Sequence, residues 1–276
     1  MKAALIQLNV TDDPARNLAG TVAMIRDAAD QGASFVLTPE VTNCVSTSRT
    51  HQREVLQHEG DDITLAALRD VAREKAIWLL IGSLGLKTED ADGRFANRSF
   101  MIDPTGKIIA RYDKIHMFDV DIDTTESYRE SAGYRPGEKS VVVETSFGKI
   151  GMSICYDMRF PLLYQALADA GAEILTMPAA FSPVTGAAHW HVLLRARAIE
   201  TGCFVVAPAQ TGEHQSDTNK TRFTYGHSLA VAPWGEVLVD AGEAPGVYLF
   251  EIDMDRLADA RRRVPSLANR RNFEAP

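Results

Sequence analysis

The stretch Gly148-Lys149-Ile150-Gly151-Met152-Ser153-Ile154-Cys155-Tyr156-Asp157-Met158-Arg159-Phe160-Pro161 changes character at its middle. An apolar run ends abruptly at Cys155, polar residues follow, and an apolar helical pattern begins near Pro161. A strand, a turn and a helix in this order form the frame in which a nucleophile stands proud of a sheet on a tight elbow. The helix start offers partial positive charge and free backbone N–H groups, which favour a thiolate and a developing oxyanion. Read alone, the segment also fits Cys155 as a buried small hydrophobe, the ordinary place of a free cysteine.

Outward from this stretch, short apolar runs alternate with helical patterns almost from end to end. Strands are expected over 3–8, 34–38, 77–83, 98–102, 107–112, 140–144, 150–154, 173–177, 204–209, 228–232, 236–240 and 247–252, from their β-branched and aromatic content and the Gly, Pro and Asp residues around them. Helices are expected over 14–31, 63–75, 162–170, 187–201 and 254–263. Asp13 reads as an N-cap ahead of Pro14, and Gly32, Gly171 and Gly202 stand at C-cap positions. The alternation indicates an α/β protein with helices covering sheet faces.

The chain also repeats its own grammar. Gly32-Ala33-Ser34-Phe35-Val36-Leu37-Thr38-Pro39 is echoed by Gly171-Ala172-Glu173-Ile174-Leu175-Thr176-Met177-Pro178, and Asp103-Pro104-Thr105-Gly106 by Ala232-Pro233-Trp234-Gly235. Two similar halves packed sheet on sheet explain the echo. No Ser/Gly-rich linker divides the chain, so a single domain over 1–276 is expected, with 213–221 as a polar, mobile loop.

A formal charge of −8 over 276 residues argues against a nucleic-acid or anionic-membrane partner, which demands a basic face. The run Arg261-Arg262-Arg263 and the pair Arg270-Arg271 read as a solvated helix face and tail. The first residues lack a signal-peptide pattern, and no apolar run approaches about 18 residues, the length of a membrane span. Three cysteines, an odd number, fit a reducing compartment, and the expected location is cytoplasmic. Cys44, Cys155 and Cys203 form no Cys-x-x-Cys pair, His189 and His191 lack partners at ligand spacing, and no glycine-rich phosphate loop is present. Neither a metal nor an organic cofactor is expected.

A thiol nucleophile needs a base and a cation. Glu40 follows Leu37-Thr38-Pro39 at the carboxyl end of an expected strand, the edge where α/β proteins build sites. A carboxylate there can take the thiol proton and later deliver it to a leaving amine. Lys114, in Tyr112-Asp113-Lys114-Ile115-His116, offers a compact charge for a tetrahedral oxyanion. Each alone also reads as a solvated residue.

Taken in order, Thr38-Pro39-Glu40, Tyr112-Asp113-Lys114-Ile115-His116 and Cys155-Tyr156-Asp157-Met158-Arg159-Phe160-Pro161 resemble the Glu–Lys–Cys motifs of the nitrilase superfamily of carbon-nitrogen hydrolases. The likeness spans essentially the whole chain. It implies a four-layer α-β-β-α sandwich of two mixed sheets, assembled as a homodimer or larger, with 265–276 as an arm on a neighbour. It also implies that Cys155 attacks an amide carbonyl, Glu40 serves as base and then acid, and Lys114 with the Tyr156 N–H stabilises the oxyanion. A supporting glutamate is expected between lysine and cysteine; Glu130 fits best, with Glu126 a nearby rival. Two carboxylates beside one ammonium can share protons, leaving one glutamate protonated for the leaving group.

Ala180-Phe181-Ser182-Pro183 through His189-Trp190, and Tyr225-Gly226-His227-Ser228, resemble the omega-amidase and deaminated-glutathione-amidase branches, the latter more closely. The implied reaction is hydrolysis of a small carboxylate-bearing amide to acid and ammonia. Arg159 is the candidate for the substrate carboxylate, since a guanidinium fork matches one. One residue departs from the pattern: His191 follows Trp190 where relatives carry an acidic side chain.

Overall fold

The computed structural model describes residues 1–122, 127–217 and 221–274. In chain order the first half forms β1 (Lys2–Gln7), α1 (Pro14–Asp30), β2 (Phe35–Leu37), α2 (Arg49–Val55), α3 (Ile63–Lys75), β3 (Trp78–Leu86), β4 (Ala96–Ile102) and β5 (Ile108–Asp113). A short antiparallel pair, β6 (Asp119–Asp121) and β7 (Ser127–Arg129), leads to β8 (Val141–Thr145), β9 (Gly148–Met152), α4 (Pro161–Asp169), β10 (Ile174–Thr176), α5 (Pro183–Thr201) and β11 (Phe204–Ala207). The chain ends through the antiparallel pair β12 (Thr211–His214) and β13 (Arg222–Tyr225), then β14 (Leu229–Val231), β15 (Val237–Asp240), β16 (Gly246–Glu251) and α6 (Met254–Arg263).

Two six-stranded sheets result, with orders β16-β1-β2-β3-β4-β5 and β15-β14-β11-β10-β9-β8. Each has three parallel strands (β1, β2, β3 and β9, β10, β11), two antiparallel strands beyond the third, and one antiparallel strand beside the first. The sequence echo is therefore a topological one. The first sheet is completed by β16 from the far end of the chain, paired with β1 from Lys2↔Glu251 to Gln7↔Gly246, so the first half does not close alone.

Period-two alternation sorts the layers. Ala3 and Leu5 of β1 join Phe35, Leu37, Leu80 and Met101 in the core shared with Ile150, Met152 and Ile174 of the second sheet. Ala4 and Ile6 turn the other way, with Val36, Leu79 and Phe100, onto Ile25 and Ala28 of α1 and Leu68 and Val71 of α3. On the far side α4 and α5 bury Leu163, Leu167, Trp190 and Leu194. The expected α-β-β-α sandwich is the observed one. Deleting a fully buried leucine such as Leu80 costs about 2–5 kcal/mol.

Local chemistry sets the helix ends. The Asp13 side chain accepts from Ala15 N at 2.8 Å with Pro14 at the first position of α1, and Asp62 caps Leu65 N at 2.8 Å for α3. Helix α5 starts at Pro183, ahead of the expected 187, because Pro183 suits a first turn and Gly186 lies under the Tyr225 ring, where a Cβ would sit 2.3 Å from Cγ. The expected loop 213–221 is in part β12; residues 218–220 lie outside the described residues. The tail folds back on its own chain, with Leu267 against the core and the Arg270 guanidinium on Asp169 of α4 at 2.9 Å. Among the described residues no helix is long and apolar enough to cross a membrane.

Candidate active site

Strand β9 ends at Met152, and three residues later Cys155 adopts a left-handed backbone with φ +49°. That conformation is uncommon for a residue with a side chain and costs on the order of 1–3 kcal/mol, so its surroundings must impose it. Cys155 N donates to Pro178 O at 2.9 Å, pinning the turn to the end of β10. The buried Asp157 carboxylate pins it again, accepting from Ile154 N (2.9 Å), Tyr112 OH (2.6 Å), His116 N (3.0 Å) and His116 Nδ1 (2.7 Å). The residues from Cys155 to Arg159 form a 3₁₀ turn, whose first N–H groups, that of Tyr156 included, have no acceptor within the turn.

Glu40 leaves the end of β2 through Thr38-Pro39. Gly82 of β3 lies against this segment so closely that a Cβ there would stand 2.0 Å from Thr38 O and 2.4 Å from Pro39 O. Lys114 follows β5 and is fixed by Lys114 N to Asn97 O (3.0 Å) and Gly137 N to Lys114 O (2.7 Å). Its ammonium donates to Glu40 Oε1 at 2.9 Å and to Glu130 Oε1 and Oε2 at 3.0 and 2.9 Å. Glu130 Oε2 also accepts from Phe118 N at 2.7 Å. Asn97 Nδ2 spans both carboxylates, at 2.9 Å from Glu40 Oε1 and 3.3 Å from Glu130 Oε1. Glu40 Oε2 accepts from Ala180 N at 2.8 Å, and the Cys155 thiol lies beside the same carboxylate.

These contacts set the protons. Burial pushes the Glu40 carboxyl up, but the charge and hydrogen bonds of Lys114, with those of Cys155 and Asn97, outweigh it and hold Glu40 below its ordinary value. Burial pulls Lys114 down, and Glu130 and Glu40 reverse this, so the ammonium is held well above its ordinary value. For Cys155, burial and the Glu40 charge push the thiol far up, against a smaller pull from Lys114. At rest the site therefore holds an ionised Glu40, a charged Lys114 and a neutral thiol. This corrects the sequence expectation of a thiolate: a five-residue 3₁₀ turn has too little dipole to offset burial.

Cys155, Glu40, Lys114 and Glu130 are brought together at one cavity of about 640 Å³. The rival Glu126 lies outside the described residues. The Tyr156 ring packs edge-on to Phe118 and Phe160, with centroids 5.0 and 5.5 Å away. Arg159 is not among the residues lining the cavity; its guanidinium lies 5.7 Å from the ring centroids of both Tyr156 and Phe181 and 3.2 Å from His189 Nδ1. Among the described residues, the cations that line it besides Lys114 are Arg49, Arg129 and Arg222. Arg222 donates to Ala180 O at 2.9 Å, on the segment whose N–H holds Glu40. Sequence reasoning did not single out Asn97, Asp157 or Arg222; of these, only Asp157, two residues after Cys155, lay within a quoted motif.

Comparison with known proteins gives this arrangement a context. The model of the carbon-nitrogen hydrolase family matches residues 2–262. The chain is 39% identical to a deaminated glutathione amidase of Yersinia enterocolitica, over 97% of this chain and 92% of that protein. It is 35% identical to an omega-amidase of Mus musculus, over 98% of this chain and 95% of that one. Its fold matches the crystal structure of the C. elegans NitFhit protein with a TM-score of 0.90 and 35% identity, covering 98% of this chain and 65% of that longer one.

Proposed function

The chain belongs to the carbon-nitrogen hydrolase family, and from that premise we propose that it is a cysteine amidase that releases ammonia from a small carboxylate-bearing amide, deaminated glutathione before others. The observation that carries the reading is the meeting of Cys155, Glu40 and Lys114 at one cavity, each from a different strand end and each held by its own hydrogen bonds.

The resting protonation suggests the order of events. As Sγ of Cys155 attacks the carbonyl carbon, the thiol proton passes to Glu40, the carbon–sulfur bond forms, and the carbonyl π pair moves to oxygen. The Lys114 ammonium and the Tyr156 N–H receive the oxyanion. Collapse expels the amine, which takes the proton from Glu40 and leaves as ammonia, and a thioester remains. Water then gives a proton to Glu40 while attacking the thioester carbon; the carbon–sulfur bond breaks, the acid departs and sulfur regains its proton. Glu130, anchored by Phe118 N, keeps Lys114 in place through both steps.

A substrate carboxylate would meet Arg222, Arg49 or Arg129 in the cavity instead of Arg159, which stands outside it. The single domain 1–276 is taken to work in the cytoplasm, as three free cysteines suit, with neither nucleic acid nor membrane as partner, given the charge of −8. A second copy is proposed to cover α5, whose exposed Val184, Val192 and Ile199 share one face.

Ammonia release from a panel of 2-oxo amides, with deaminated glutathione and 2-oxoglutaramate side by side, tests the reading. Higher kcat/KM for deaminated glutathione is expected. Preference for 2-oxoglutaramate would move the assignment to the omega-amidase reading, and no turnover of any amide would overturn both.

A further inference from the structure

We propose that His191, His227 and Asp240 form a binding site for one divalent transition-metal ion, separate from the amidase cavity. His191 Nε2 lies 2.9 Å from Asp240 Oδ2, and His227 Nδ1 lies 2.9 Å from Asp240 Oδ1. One ligand atom from each of the three falls within 4.8 Å of the others. None of the three lines the cavity that holds Cys155.

Three separate elements supply the donors: α5, the turn between β13 and β14, and the end of β15. Two of the three donors, His227 and Asp240, are supported from behind. His227 has φ +55°, a left-handed backbone that a histidine adopts only under constraint, and both its backbone groups are bound, N to Gly242 O at 2.7 Å and O to Trp190 Nε1 at 2.8 Å. The Tyr225 ring stacks on the His227 imidazole at 4.5 Å, and Gly242 N holds Asp240 Oδ1 at 2.9 Å. Such outer contacts fix ring orientation in metal sites.

Two imidazoles and one carboxylate suit zinc, cobalt or nickel, and the part-exposed side chains leave further positions for water. With bonds of about 2.0–2.2 Å, a tetrahedral ion holds its ligands roughly 3.3 Å apart. The two nitrogen–oxygen separations of 2.9 Å need only open slightly, and rotation of the surface imidazole of His191 closes the rest. An ion there clips α5 to the second sheet.

Cobalt(II) is titrated into the untagged full-length protein at neutral pH, followed by visible absorption and calorimetry. The expected result is saturation near one ion per chain with a raised Tm. Both are lost, or binding weakens by at least about tenfold, in His191→Ala and in Asp240→Asn, and both persist in Cys155→Ala. Retained amide turnover checks that the two surface variants fold. Absence of saturable binding by the wild type, or binding unchanged in both surface variants, would overturn the site.

Discussion

The Asp157 carboxylate receives both the backbone N–H and Nδ1 of His116, at 3.0 and 2.7 Å, so the turn exposing Cys155 and the segment carrying Lys114 are tied into one unit. The other oxygen takes Ile154 N and the Tyr112 hydroxyl at the same time. Asp157→Ala leaves these buried donors without an acceptor, and a loss of about 3–5 kcal/mol in unfolding free energy is expected. Because the tie spans nucleophile and cation, kcat should fall more than KM rises. Denaturant unfolding read beside steady-state kinetics checks both.

Glu40→Gln keeps the shape of the side chain and removes the base. A fall in kcat of roughly 10²–10⁴-fold is expected, with KM little changed. The resting state requires Glu40 ionised and the thiol protonated. Since Glu40 is held below its ordinary 4.5 and Cys155 above its ordinary 9.0, kcat/KM should be flat across neutral pH. It should fall on the acid side only below 4.5 and on the alkaline side only above 9.0. A limb centred near pH 7 would contradict this assignment.

His214 offers a test of stability against pH. Burial, with a smaller push from Arg222, lowers its imidazole to about 4 against an ordinary 6.5, while Nδ1 donates to Val10 O and Nε2 accepts from Thr224 Oγ1, both at 2.7 Å. Below pH 6.5 the unfolded chain binds a proton that the folded chain refuses, so stability falls with pH until the folded value near 4 is passed. The loss over that window is on the order of 3 kcal/mol. Unfolding at pH 7 and pH 4.5 should differ less in His214→Gln than in the wild type.

Gly82→Ala places a methyl group within 2.0 Å of Thr38 O, under the segment that ends in Glu40. Backbone must move, and destabilisation of about 1–3 kcal/mol is expected together with a loss of turnover. The comparison is Gly20→Ala on α1, where nothing lies within 4 Å of the added carbon and both Tm and turnover should hold or rise.

Much of this architecture was legible in the sequence where local signals agreed. Helix α3 runs from Ile63 to Lys75 as the pattern predicts because Asp62 caps it and apolar residues repeat at helical spacing. Helix α2 was not read, because Gln52 is its one buried residue and it carries no apolar period. The pair β12 and β13 was hidden by polar residues, since its pairing satisfies backbone groups and not an apolar face. In the site, Cys155 and Glu40 stand where strands stop. Asn97 is one residue inside β4 and acquires its place only when the sheet brings β5 beside it. Arg159 at the end of the 3₁₀ turn and Arg222 at the start of β13 offer the same chemistry, and only packing decides which one lines the cavity. The thiol's proton was misread for a related reason: burial is a property of the fold, not of the turn.

Ammonia release by Cys155→Ala beside the wild type, on deaminated glutathione, bears most directly on the nucleophile. The variant should be folded, with an unchanged far-ultraviolet spectrum, and should release no ammonia above the uncatalysed rate. Turnover by a folded Cys155→Ala protein at the wild-type rate would contradict the account.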